Sequence, residues 1–548
     1  MARFTTEMRN TTVRNMPDNS QRAGVARARP PHPAPGKAPL VAGLAAYLCL
    51  VVNGALAAGG ISAEQWYSNG EQAAKQAMQL KPNRHKARNL ILFIGDGMSV
   101  STVTAARILQ GQQRGESGEE NLLSFEHFPY LALSKTYNTN QQTPDSAGTM
   151  TAIMTGEKTL AGVIAIDKTA RRNDCESARG HALHTLLEQA EQAGRSTGIV
   201  TTTRLTHATP AATYAHSPER EWEGDSEMPP EALAAGCKDI AAQLIDFPYG
   251  DGPEVAMGGG RRYFQPTSAK APEAPAMHGS RKDGRDLIAE WLATRRNAAY
   301  VWNDAQLEAL DVSHTDHLLG LFSASHMHYE ADRNRDAGGE PSLSEMTARA
   351  IEILRRNRRG YFLMVEAGRI DHAHHAGNAY RALTDTIELS RAVSTARAMT
   401  SANETLIIVT ADHSHAFAMA GYATRGNPIL GKVVSNDAFG EPETRAKLAA
   451  DGKPYTTLGY LTGHGYAFDR EMVQSSKRRK PVAGRAQDLA DIDTTDRRFH
   501  QQSLVPLQSE THSGEDVAVY ADGPGAWLVH GVMEQNVIYH IMREAMGL

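Results

Sequence analysis

Four short apolar runs constrain this chain more than any other feature: NLILFIGDG at 89–97, TGIVTTT at 197–203, YFLMVEAG at 361–368 and TLIIVTADHSH at 405–415. Each ends on acidic or hydroxyl residues. Runs this short, without polar alternation, read as strands buried on both faces, the pattern of a parallel sheet. Helical patterns lie between them, over 181–193, 344–356 and 376–399, where Tyr380, Leu383 and Ile387 keep helical spacing. The alternation predicts an α/β fold, with a mostly parallel central sheet and helices on both faces. Ligands of such sheets gather at the carboxyl ends of the strands, and Asp96, Glu366, Asp412 and His413 all fall there. Residues 265–285 and 425–500 are richer in Gly, Pro and charge. They read as insertions into a single domain over 59–548.

Residues 1–58 stand apart as a leader. The first 38 are rich in Arg, Pro and Ala, and the apolar stretch Leu40 to Val52 is short for a membrane span. It suits the core of a signal peptide, and Ala55 with Ala57 supplies the A-x-A cleavage pattern. Cleavage is expected after Ala57 or Ala58, giving an exported protein, periplasmic or secreted. An uncleaved anchor is the alternative, and Met16 is an alternative start. Cys49 leaves with the leader, and Cys175 and Cys237 remain as an even pair. They form either one disulfide or two buried thiols. The net charge of -5 points to no nucleic-acid partner.

The chemistry is carried by spacing rather than by any one residue. Singly, Asp96 in GDG reads as a turn residue and Asp412 as a helix cap. DHAHH at 371–375 puts Asp371 and His375 four apart, on one face of a helical turn, where they can share an ion. Asp412 and His413 are adjacent after a strand, and His512 lies in a Gly-containing loop. These carboxylate and imidazole sets suit two Zn²⁺ ions. Asp96 and Glu366 with a threonine hydroxyl suit a harder ion such as Mg²⁺. Ser146, in TPDSAGTMTAIMTG, has no G-x-S-x-G elbow and no histidine base in view. Two zinc ions roughly 4 Å apart would clamp the oxygens of an in-line displacement and make a base unnecessary. The helix starting there would favour phosphate oxygens. Without metals, Ser146 is simply a helix N-cap.

Six ordered motifs then carry a resemblance. They are LFIGDGM (92–98), TPDSAGTMTAIMTGEKT (143–159), VTTTRLTHATPAATYAHSPEREW (200–222), FLMVEAGRIDHAHHAGNAYRALTDTIELSRAV (362–393), LIIVTADHSHAFAMAGYATRG (406–426) and the segment 501–542. Over 85–545 the chain resembles the alkaline phosphatases, most closely the animal-type branch. The resemblance implies a metal-dependent phosphomonoesterase of broad range, working through a phosphoserine at Ser146. It implies Asp371, His375 and His512 on a first zinc, and Asp96, Asp412 and His413 on a second. Asp96, Thr209 and Glu366 would hold magnesium, Arg220 would grip phosphate, and His207 and His372 would lie near both. It implies a Cys175–Cys237 bond, a crown-type insertion over about 425–500, and a homodimer. Calcium is doubtful: where the animal enzymes carry a glutamate after the phenylalanine of GLF, Ser323 follows Phe322, although Glu273 and Glu340 match. No apolar tail precedes the end at Leu548, so no lipid anchor of the animal kind is expected.

Overall fold

The computed structural model describes residues 62–548 apart from 274, 466, 469–483 and 486–487. The leader and its expected cleavage site lie outside the described residues. The first described element is the helix Ala63–Gln79, where Lys75 pairs with Glu71 one turn earlier at 2.8 Å.

Ten strands form the central sheet: β1 (Asn89–Gly95), β2 (Tyr130–Lys135), β3 (Ser196–Arg204), β4 (Val255–Gly259), β5 (Ala298–Val301), β6 (His317–Leu321), β7 (Tyr361–Ala367), β8 (Thr405–Thr410), β9 (Val517–Asp522) and β10 (Gly531–Glu534). Their order is β10-β2-β9-β8-β1-β7-β3-β4-β6-β5. Only β9 runs against its neighbours, β8 and β2; the other pairs are parallel.

Helices cover both faces, which is why the strand sequences show no polar alternation. Leu90, Leu92 and Ile94 of β1 join one core with Met150 and Ile153 of the helix Ser146–Thr155 and Met542 of the helix Val537–Met546. Ile91 and Phe93 point the other way, into a core with Val103, Met346 and Leu383.

Three expected boundaries shift, each for a local reason. The helix expected over 181–193 starts only at Leu186. Thr185 caps it: Glu188 N–H donates to Thr185 Oγ1 at 3.2 Å, and Thr185 N–H donates back to the Glu188 carboxylate at 2.8 Å. The helix expected from 376 starts at Ala379, behind the N-cap Asn378. The run from 405 stops at Thr410, and Ser414–His415 pairs separately with His512–Ser513. Within and beside residues 425–500, Phe417–Met419, Leu458–Gly463 and Ser503–Pro506 form a small three-stranded sheet. Cys175 and Cys237 are joined by a disulfide, packed with Trp222 and Met228. Among the described residues, no helix is long and apolar enough to cross a membrane.

Candidate metal centres and nucleophile

β8, β1 and β7 are neighbours, so their carboxyl ends deliver Asp412, Asp96 and Glu366 to one place. All three side chains are fully buried. Gly97 makes the turn at positive φ (67°), and a Cβ there would collide with the His415 ring. Gly97 N–H donates to Asp412 Oδ1 at 3.0 Å. Thr209 Oγ1, from the short helix Ala208–Ala211, donates to Asp96 Oδ2 at 3.3 Å. Thr201 and Thr203 donate to Glu366 Oε2, the latter at 3.1 Å. Asp96 Oδ1 and Glu366 Oε1 are buried and have no hydrogen-bond partner. Burial, reinforced by Asp412, Asp371 and Glu366, holds the Asp96 carboxyl well above the usual range, and burial pushes Glu366 up to about 7. Burying several carboxylates with unpaired oxygens is costly unless a cation compensates them.

The imidazoles give a sharper test. His375 Nδ1 lies 2.7 Å from the Glu510 carbonyl, and His512 Nδ1 lies 2.8 Å from the Pro144 carbonyl. A carbonyl only accepts, so both Nδ1 atoms carry hydrogen, which leaves each Nε2 as the atom free to ligate. Those two Nε2 atoms face each other at 3.0 Å. Asp371 Oδ1 lies 3.4 and 3.3 Å from them. Two ring nitrogens and a carboxylate oxygen thus converge within 3.4 Å of one another, as the ligands of one divalent ion do. Asp371 and His375 come one turn apart from a single short helix, Arg369–His375, as their spacing requires.

His413 stacks on His512 with ring centroids 3.6 Å apart, linking the two centres. Its Nε2 lies 3.3 Å from Asp412, 3.5 Å from Asp96 and 3.1 Å from Ser146 Oγ. The helix cap falls to Asp145, which accepts from Gly148 N–H at 3.2 Å, so Ser146 is not the cap. Asp145 also accepts from Arg220 at 3.0 Å, and the other arm of that guanidinium lies 3.2 Å from His207 Nε2. Burial works to raise the Asp145 carboxyl, but Arg220 and the amides of Gly148 and Gly162 hold it below its usual value. The residue that starts the serine helix thus also fixes the arginine.

Several participants escaped the sequence reading. His415 reaches the Asp371 group, yet both its nitrogens are engaged by carboxylates, Asp371 at 2.7 Å and Glu510 at 2.6 Å. Both must donate, so it is an imidazolium; burial opposes that charge, but Glu510 and Asp371 outweigh it and push the pKa up to about 10. It orients Asp371 rather than ligating beside it. The spacing DHSH was the available signal. His326 packs its ring 4.1 Å from that of His372 and 5.6 Å from that of His207. Burial holds His207 and His372 well below the usual histidine value, so both are neutral. Of DHAHH, His374 is satisfied by Thr102 and Tyr460 and stands outside the centres.

A family model described as alkaline phosphatase matches residues 87–548. The chain is similar to the tissue-nonspecific alkaline phosphatase of Gallus gallus, 47% identical over 490 residues, covering 88% of this chain and 89% of that protein. It is 46% identical over 492 residues to the alkaline phosphatase of Gadus morhua, covering 88% of this chain and 96% of the other. Among solved structures, that of the Thermus thermophilus alkaline phosphatase aligns with a TM-score of 0.58 at 26% identity, covering 86% of this chain and 94% of that one.

Proposed function

The chain belongs to the alkaline phosphatase family, and from that premise we propose how its own residues carry out the hydrolysis of phosphate monoesters. The activity itself, a metal-dependent phosphomonoesterase, follows from the family. Two Zn²⁺ ions, one on Asp371, His375 and His512 and one on Asp96, Asp412 and His413, with Mg²⁺ on Asp96, Thr209 and Glu366, supply Lewis acidity to the attacking and leaving oxygens when bound. Arg220 presents its planar fork to two phosphate oxygens, a geometry that the tether to Asp145 holds in advance. Ser146 Oγ attacks phosphorus from the positive end of its ten-residue helix. The Oγ–P bond forms as the bond to the substrate's alcohol oxygen breaks, and the alcohol leaves with a proton. Water then attacks the phosphoserine, releasing phosphate and returning the Ser146 hydroxyl. His207, neutral and beside Arg220, and His372, neutral and packed 5.6 Å from the His207 ring, border the phosphate without adding charge.

The observation that carries this reading is the convergence of imidazole Nε2 atoms and unpaired buried oxygens around Ser146. The same reading has the chain exported after cleavage beyond Ala57 or Ala58 and assembled as a homodimer. The insertion over about 425–500 is then its crown. The test is hydrolysis of p-nitrophenyl phosphate after EDTA stripping and again after Zn²⁺ and Mg²⁺ are restored. Activity lost and regained supports it. A restored protein that spares the monoester and cleaves a diester overturns it.

A further inference from the structure

A second cluster of side chains able to ligate a cation lies in the loop between β6 and the helix Leu343–Leu354. Its donors are His328, Asp336 and Glu340, whose ligand atoms fall within 4.8 Å of one another. His328 Nδ1 lies 3.1 Å from Glu340 Oε1 and 4.0 Å from Asp336 Oδ1. Glu340 Oε2 is already committed, accepting from the His328 backbone N–H at 2.6 Å, and this fixes the carboxylate so that Oε1 faces the ring. The Asp336 side chain is only 7% exposed, and its Oδ2 is buried without a hydrogen-bond partner. The His328 ring is 46% exposed, which leaves the cluster open to solvent on one side.

We propose that His328, Asp336 and Glu340 bind a divalent ion of the zinc class, separate from the catalytic centres. With His328 neutral the three donors carry a charge of −2, which a divalent ion balances; without an ion, Glu340 at 3.1 Å favours a proton on the ring, which leaves −1. One nitrogen donor among two oxygens favours zinc over calcium, whose ligands are oxygens alone. The donor set also differs from the calcium set that the family resemblance implies. Ser323 replaces its glutamate, and both oxygens of Glu273 are held by Arg261, at 2.6 and 2.7 Å. Of the glutamates that match that set, only Glu340 is shared, and here it faces an imidazole.

The site has the features of a small structural clip. Asp336 ends the 3-10 turn Glu330–Arg335, and Glu340 lies two residues before the N-cap Ser342. An ion there would tie His328, the end of that turn and the start of the following helix together.

The test counts zinc. Purified full-length protein is stripped with EDTA and dialysed against Zn²⁺ and Mg²⁺, and bound metal per chain is measured by plasma mass spectrometry. The same is done for His328→Gln and Asp336→Asn. The wild type is expected to hold one zinc more per chain than either variant, with unchanged kcat on p-nitrophenyl phosphate and no displacement by about a tenfold excess of Ca²⁺. Equal zinc counts in all three proteins overturn the site and leave a protonated His328 bridging the two carboxylates. Displacement by calcium overturns the assignment of the ion. The two variants remove different donors, so failure of one to fold leaves the other decisive. Failure of the wild type to regain activity would bear on the catalytic reading, not on this count.

Discussion

Buried carboxylates occur at both ends of the central sheet, and the two groups are built differently. At the carboxyl ends of β1, β7 and β8, Asp96 and Glu366 each keep one buried oxygen without a partner. At the opposite end, Glu254 precedes β4, and both its oxygens are satisfied, by Ser196 Oγ at 2.5 Å and Thr197 N–H at 2.6 Å. Glu191 beside it accepts from Thr197 Oγ1 at 2.6 Å. Burial pushes Glu254 up to about 7 and, with Glu254 close by, Glu191 up to about 9. Raised carboxyls are thus common to both ends and do not mark the active site by themselves. What separates them is bonding: orphaned oxygens amid converging imidazoles call for a metal, while oxygens met by hydroxyl and amide donors are stabilised by holding a proton.

The largest effect expected from breaking the carboxyl-end site comes from Ser146→Ala. Removing the oxygen that forms the phosphoenzyme should lower kcat on p-nitrophenyl phosphate by about 10³-fold or more. Turnover within a few fold of wild type would sink the covalent route. Trapping of labelled phosphate on acid quench should occur in the wild type and be absent from the variant. Arg220→Ala comes next, with kcat/KM lower by about 10²-fold through loss of two charge-assisted hydrogen bonds. Arg220→Lys should recover only part of this, because an ammonium cannot present a fork. Full recovery with lysine would show that charge alone matters.

His415→Gln probes the support rather than the ligands. It removes the cation that holds Asp371 and Glu510 together, so zinc affinity at the Asp371 centre should fall by about 10–100-fold. Activity at saturating zinc should be much less affected than the zinc concentration needed to reach half of it. Equal losses in both would make His415 part of the reacting machinery instead.

These residues also show what could be read from sequence. The β1, β7 and β8 strands were legible because burial on both faces erases polar alternation, and Asp96, Asp412 and His413 follow directly from where those runs end. Asp371 and His375 were legible because their spacing is helical. His415, Glu510 and Asp145 were not, because each acts on a partner far along the chain: His415 on Glu510, 95 residues away, and Asp145 on Arg220, 75 away. No local pattern encodes such a contact, although DHSH does place His415 two residues after the candidate ligand His413. The late start of the helix at Leu186 is the opposite case, a local signal outweighed by periodicity: the box formed by Thr185 and Glu188 was present in the sequence.

The smallest effect is expected at the far end of the sheet and should leave catalysis untouched. Glu191 and Glu254 have folded pKa values of about 9 and about 7, against 4.5 as the ordinary value. The folded chain therefore keeps protons that the unfolded chain has released, and stability falls as pH rises across that interval. Below about pH 4.5 both states are protonated, and this penalty vanishes. Glu191→Gln keeps the Thr197 hydrogen bond and the volume while removing the ionisation. Denaturant unfolding of metal-free protein at pH 6 and pH 9 should show the wild type losing about 3–4 kcal/mol more than the variant over that range. The metal-free form is used because zinc affinity also varies with pH and would mask the slope. Parallel pH dependence in the two proteins would mean that the pair stays charged in the fold, and that its hydrogen bonds from Ser196 and Thr197 are enough to bury it.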